Sequence, residues 1–138
     1  MTEEGPKLVE LGARMGADCI TTYLLDNSIS GINMSQIAIQ LALGDKPKIG
    51  KFQNSGIASA IRFIPAKKGT IKKIEGVKRV ERMEGIIKVA IIGQKGKKYM
   101  DAVDDTARFG FVVAVGKTPQ EALLCCEKAI ESISFIMC

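Results

Sequence analysis

The tetrapeptide Thr118-Pro119-Gln120-Glu121 constrains the fold more than any other part of the chain. A Thr N-cap, a Pro at the first helical position and a Glu closing the capping box form a strong helix start. Behind it, Ala122, Leu123, Cys126, Ala129, Ile130, Ile133 and Ile136, with Met137 beside it, recur at three- and four-residue steps and mark one apolar face. This spacing predicts a helix that runs to the C terminus. Immediately before it, residues 108–116 (RFGFVVAVG) read as a strong strand.

The same logic works upstream. Residues 85–92 (GIIKVAII) are a second strong strand. Residues 69–74 (GTIKKI) carry a weaker strand signal, with Ile71 and Ile74 on either side of a bend. Residues 55–64 (SGIASAIRFI) are a strand of small residues ended by Pro65. Gly93–Lys98 reads as a hairpin turn. Residues 76–84 fit either a short helical face of Val77, Val80 and Met83 or a charge-rich strand. Asn33-Met34-Ser35-Gln36 is another capping-box pattern, opening a helix over 33–44 with Met34, Ile37, Ala38, Leu41 and Ala42 at helical spacing. Gly44 stops it and Pro47 follows. Asp26-Asn27-Ser28 and Ser30-Gly31 are turn signals, residues 12–18 a loop, and residues 7–12 (KLVELG) a short strand with Leu8 and Glu10 on one face. The expected fold is α+β: a small antiparallel β-rich domain with a C-terminal helix over 46–138, preceded by a strand, loop and helix over 1–45.

Composition narrows the function. A length of 138 residues suits one ordinary domain, which needs no disulfide scaffold. There is no His, which excludes a Ser-His-Asp triad, a Cys-His dyad, an HExxH zinc site and a histidine general base. Cys19, Cys125, Cys126 and Cys138 form no CxxC pair and read as small apolar side chains in a reducing cytosol. The acidic N terminus, MTEEGPK, has no apolar h-region, and no stretch reaches the ~18 apolar residues of a membrane span. A cytoplasmic location without a membrane partner is expected.

Charge is unevenly spread. Residues 46–100 carry fifteen basic and three acidic side chains, whereas both flanks are net acidic. A basic section of this kind can attract nucleic acid or an anionic ligand. Its aromatics are only Phe52, Phe63 and Tyr99, with no interleaving of Arg that would stack bases, and much of the charge is Lys beside Gly. Solvated turns and charged edge strands have this texture, which disfavours nucleic acid.

The stretch richest in chemistry is Leu8 to Asp18. A strand carboxylate, Glu10, is followed four residues later by Arg14 in a Gly-containing loop. Carboxylate oxygens suit Mg²⁺, and a guanidinium fork suits phosphate. The pair fits phosphoryl transfer, and by spacing alone it equally fits a plain salt bridge or two solvated charges.

The segment resembles the distal strand and loop of ATP-grasp ligases, in which E-x-[N/G]-x-R-x-G-G closes the ATP site. Glu10, Gly12, Arg14, Gly16 and Asp18 fit the form found in the L-amino acid ligase-like branch. Gly12 stands where many members carry a metal-binding Asn, and Ala17 where a second Gly is usual. Ser30-Gly31-Ile32-Asn33-Met34, leading into the helix end at Leu43-Gly44, resembles the family's turn and helix. Gly69 to Val77 and Arg108 to Ala122 resemble the small β-rich domain that follows the ATP-grasp core in amino-acid ligase-like and carbamoyl-phosphate synthetase-like proteins.

This resemblance implies a carboxylate–amine ligase that uses ATP and Mg²⁺ and acts through an acyl-phosphate. It implies that Glu10 holds the metal and that Arg14 contacts the transferred phosphate as cofactor-binding and catalytic residue. Asp18, Ser30 and Gly31 are candidates for facing substrate, and also for ordinary loop capping and turns. ATP-grasp catalysis also needs a Lys-bearing lobe, a glycine-rich flap and a substrate domain. The chain is therefore expected to be the C-terminal part of a longer ligase, silent by itself, with the remaining lobes in cis or on a separate subunit. A strand at 7–12 without sheet neighbours would also favour homo-oligomers through its exposed edge. The competing expectation is a stand-alone interaction or anion- and nucleic-acid-binding module.

Overall fold

The computed structural model describes residues 5–8, 12, 14–51, 53–104 and 106–138. In chain order these form a π-helical turn, Ile20–Leu24, running into α1, Leu25–Ser28; β1, Ile29–Ser30; α2, Met34–Ala42; β2, Gln53–Asn54; β3, Ala58–Pro65; and β4, Gly69–Glu75. There follow α3, Val77–Val80; β5, Ile86–Ile91; β6, Lys98–Tyr99; β7, Arg108–Gly116; α4, Pro119–Glu131; and β8, Ser134–Met137. The fold is α+β, as expected. One antiparallel sheet has the order β3-β7-β5, a second β6-β4-β8, and β1 pairs with β2.

Strand β7 is the centre of the molecule. Phe109, Val112, Val113 and Ala114 are all buried, so its sequence reads as a continuous apolar run and not as an alternation. On one face, Val112 and Ala114 pack with Cys126 and Ala129 of α4. On the other, Phe111 meets Tyr23 of the π-helical turn and Phe63 of β3, at ring-centroid distances of 6.5 and 6.1 Å. Gly110 permits the close approach of β5, because a Cβ there would overlap the Ala90 carbonyl oxygen.

A bulge in β7 links the two sheets. Ile64 pairs with Gly110 but Pro65 with Arg108, which leaves Phe109 as an extra residue. Pro65 has no N–H to give a ladder, so a register break at this point is inexpensive. The Phe109 carbonyl instead accepts from the amides of Ile92 and Gly93, at 2.8 and 3.0 Å. The Phe109 ring turns into the second sheet, stacks on Phe135 at 4.7 Å and meets the edge of Tyr99 at 5.1 Å. A second bulge, at Lys72, lies between the inward-facing Ile71 and Ile74, which places those residues either side of a bend as predicted.

Both N-caps form. The Thr118 hydroxyl accepts from the Glu121 amide at 3.1 Å, and the Glu121 carboxylate accepts from the Lys117 amide at 2.8 Å. The Asn33 side chain accepts from the Gln36 amide at 2.9 Å, and Gly44 follows α2 with φ +82. The short-helix reading of 76–84 prevails, with Val80 buried.

Four expectations are corrected. The final helix does not reach the C terminus: it ends at Glu131, and residues 134–137 form β8 on β4. Ile133 and Ile136 fit the helical period by coincidence. The pairing with β4 and the Phe109–Phe135 stack override it, since a short β-branched and aromatic tail has little helical preference of its own. Gly76, at φ +88, leaves room for the chain reversal, because a Cβ there would overlap the Ser132 carbonyl oxygen. Arg79 Nη2 donates to that same carbonyl at 3.2 Å.

Second, Gly93–Lys98 is not a hairpin turn. It carries the chain from β5 in one sheet to β6 in the other, where β6 pairs with β4. Third, Asp26-Asn27-Ser28 lies in the helical segment α1, with the Asn27 side-chain amide donating to the Tyr23 carbonyl at 2.7 Å. Fourth, of the strand expected at 7–12, Lys7, Leu8 and Gly12 carry no strand pairing, and Val9, Glu10 and Leu11 lie outside the described residues.

Candidate functional site

Glu10, the expected metal ligand, lies outside the described residues. Arg14 is exposed, and its Nη1 donates to the neighbouring Met15 carbonyl at 3.2 Å. Its backbone amide donates to the Gly12 carbonyl at 2.9 Å, which bends the loop at that point. Among the described residues the guanidinium is held by this main-chain carbonyl alone, which leaves it an open donor for a phosphate or carboxylate.

The loop ends in two consecutive left-handed residues, Asp18 at φ +53 and Cys19 at φ +65. For non-glycine residues this conformation costs free energy and requires outside support. That support comes from 90 residues away. Asp18 Oδ1 accepts from Arg108 Nη1 at 2.7 Å, and the Arg108 guanidinium lies 3.7 Å over the Phe63 ring. The Arg108 side chain is only 16% exposed, so the pair is shielded from solvent more than a surface ion pair. The sequence offers Arg108 as the residue before a strong strand. Its only signal for the bulge that turns this side chain toward the Phe63 face is Pro65 on the partner strand.

Ser30 and Gly31 sit apart from that pair. The Ser30 hydroxyl donates to the Gln53 carbonyl at 3.4 Å, within the β1–β2 pairing. Gly31, at φ +84, lines a depression of about 450 Å³ with Asn33, Gln36, Asp45, Lys46 and Lys48 among its walls. Neither Arg14 nor Asp18 belongs to that lining. The expected site residues therefore fall into an Arg14–Asp18 loop backed by Arg108, and a separate polar depression at Gly31.

A larger depression of about 700 Å³ is lined by Ser28, Ile29, Asn54, Gly56, Ile57, Ala58, Ser59, Lys117 and Pro119. The Ser28 and Ser59 hydroxyls bond each other at 2.7 Å on its wall. Sequence reading reaches one edge of this place, the loop from Ser28 to Gly31 as a candidate for facing substrate, and passes over the rest of the lining, where Lys117 directly before a helix cap is a slight signal.

Among the described residues, no group of three or more His, Cys, Asp or Glu side chains converges as a metal site. The Cys125 and Cys126 thiols are poor nucleophiles. Burial pushes Cys126 up to about 11 and also raises Cys125. No helix among the described residues is long and apolar enough to cross a membrane.

Residues 62–137 match the family described as L-amino acid ligase C-terminal domain 2. The uncharacterized protein y4rH of Sinorhizobium fredii (strain NBRC 101917 / NGR234) is 28% identical over 137 residues, covering 97% of this chain and 27% of that protein. The crystal structure of the L-amino acid ligase from Bacillus licheniformis superposes with a TM-score of 0.72 at 22% identity, over 92% of this chain and 31% of that one. Phosphoribosylglycinamide synthetase from Anaerococcus prevotii superposes with a TM-score of 0.70 at 18% identity, over 91% of this chain and 32% of that one. At these identities the two structures share the fold. The chain spans roughly a third or less of each relative's length.

Proposed function

Since the chain belongs to the L-amino acid ligase C-terminal domain 2 family, we propose that it serves as the C-terminal part of an ATP-grasp carboxylate–amine ligase. In such a reaction a carboxylate oxygen attacks the terminal phosphorus of ATP and ADP leaves. The amine then attacks the acyl carbon and phosphate departs. Magnesium, when bound, neutralises the phosphate charge. Among the described residues no group of carboxylates or thiols assembles a site for it. Arg14 is the group proposed to hold that phosphate, and Asp18 with Arg108 holds the loop that carries it. Glu10 remains the proposed metal ligand, and the Gly31 depression the proposed substrate-facing surface.

The observation that carries the reading, besides the family match, is α2. Its Ile39, Leu41 and Leu43 C-cap are 62%, 59% and 74% exposed, and none of its residues is buried. Singly exposed apolar side chains are ordinary, but three along one uncharged helix ask for a cover. The proposed cover is the rest of the ligase, in cis or as a separate subunit. A location in the cytoplasm, where ATP is available, follows from the same reading.

The test is carboxylate-dependent ADP release with Mg·ATP and an amino-acid mixture. The chain alone is expected to release none, and the chain together with the ATP-grasp lobes is expected to release ADP. Arg14→Ala should abolish that release, with partial return in Arg14→Lys. Release by the chain alone, or full activity in Arg14→Ala, overturns the proposal.

A further inference from the structure

The outer face of the sheet β6-β4-β8 carries a feature that ligase chemistry does not use. In β4 the register passes from Ile71 opposite Met137 to Lys73 opposite Ile136, so Lys72 is the bulged residue. The bulge lets two consecutive lysines face outward while Ile71 and Ile74 both stay in the core. A regular strand would have sent one of the lysines inward. Lys95, from the β5–β6 connection, meets them across the strand. Together with Ile136 the three lysines line a depression of about 510 Å³.

Its chemistry is specific. Lys73 is paired with Glu75. Among the described residues, Lys72 and Lys95 have no carboxylate partner, so the depression keeps a net positive charge. Its floor is apolar, made of the lysine stems and of Ile136, which is 39% exposed. No Arg and no aromatic ring lines it. Base stacking therefore has no platform, and bidentate phosphate capture has no fork. One isoleucine is also too little apolar surface to enter a bilayer. Dispersed point charges around one apolar contact suit carboxylates spaced about a single aliphatic side chain.

We propose that this face docks an acidic polypeptide segment in which an aliphatic residue sits on Ile136 and flanking Asp or Glu side chains meet Lys72, Lys73 and Lys95. Charge complementarity carries the assignment, since the section from 46 to 100 has fifteen basic and three acidic side chains. The docking is independent of the ligase reading.

The test uses the full chain and a fluorescein-labelled peptide of three Glu-Glu-Leu-Glu repeats, followed by anisotropy at low salt. K72E/K73E/K95E should weaken binding at least tenfold. K46E/K48E/K51E, which removes the same charge elsewhere, should weaken it less than threefold. Ile136→Ser should weaken the Leu-containing peptide several-fold and leave poly-glutamate unchanged. A K72Q/K73Q/K95Q variant with an unaltered amide spectrum should still lose binding, which separates the effect from misfolding. Equal losses in the two charge-reversal triples would overturn the proposal. So would tighter binding of oligo-dT or of anionic phospholipid vesicles than of the peptide.

Discussion

The two long helices, α2 and α4, start alike and end differently. Each opens on a side-chain cap that accepts from the amide three residues on, and each has its apolar residues gathered on one side. Helix α4 carries four charged side chains, yet it buries Ala122, Cys126 and Ala129 completely against β3 and β7. Helix α2 carries no charge and buries nothing. The more apolar helix is thus the uncovered one, the reverse of what solvation alone dictates. Capping decides that a helix forms. What it packs on is decided by which surface lies opposite, and for α2 the described residues supply little beyond the π-helical turn. The same contrast extends to the surrounding segments: Thr21 is the only buried residue before β3 among those described.

This contrast can be broken or sharpened by mutation. The largest effect should come from Phe109→Ala, which empties the junction of the two sheets. A loss of about 3–5 kcal/mol is expected in denaturant unfolding, whereas Leu43→Ser should stay within about 0.5 kcal/mol in the chain alone. A loss above about 1.5 kcal/mol for Leu43→Ser would mean that α2 is packed after all. Gly110→Ala forces a Cβ onto the Ala90 carbonyl and should cost about 2–3 kcal/mol.

The caps come next. Thr118→Ala should lower global stability by about 1 kcal/mol. Asn33→Ala should leave the global midpoint unchanged and appear only as faster amide exchange within 34–42, because α2 opens without exposing a core. The smallest effect concerns pH. Burial holds Cys126 at about 11, above its unfolded value of 9.0. The folded state therefore keeps a proton that the unfolded state loses between these values, and stability should fall as pH rises through 9–11. Cys126→Ser or Ala should flatten that decline. An unchanged slope would place the alkaline loss elsewhere.

Much of the C-terminal architecture was legible because local and long-range preferences agree there. The strand over 108–116 coincides with β7, and the start of α4 lies where Thr118 and Pro119 put it. The tail was misread because Ile133 and Ile136 are spaced like a helix. Only the position of β4, sixty residues earlier, makes that segment a strand. The crossing of Gly93–Lys98 between sheets is likewise a matter of partner choice, which turn chemistry does not encode. In the candidate site, Arg14 was legible as an exposed cation in a glycine loop. Its support was not, because the Asp18–Arg108 pair spans 90 positions and depends on a register break marked in the sequence only by Pro65.

That break sets a parity. Pro65 and Phe63 share a face of β3, and Arg108 is the partner of Pro65 as Phe111 is of Phe63. Arg108, three positions from Phe111, thus shares its face and looks toward the Asp18 loop because Phe109 stands outside the ladder. A β7 that ran through this point in regular register, with Phe109 opposite Pro65, would hand the guanidinium to the α4 side and leave the left-handed Asp18–Cys19 corner without its counterweight. Homologous chains of the same length whose strand is unbroken there should therefore carry glycine or asparagine at that corner, or a different cation to brace it.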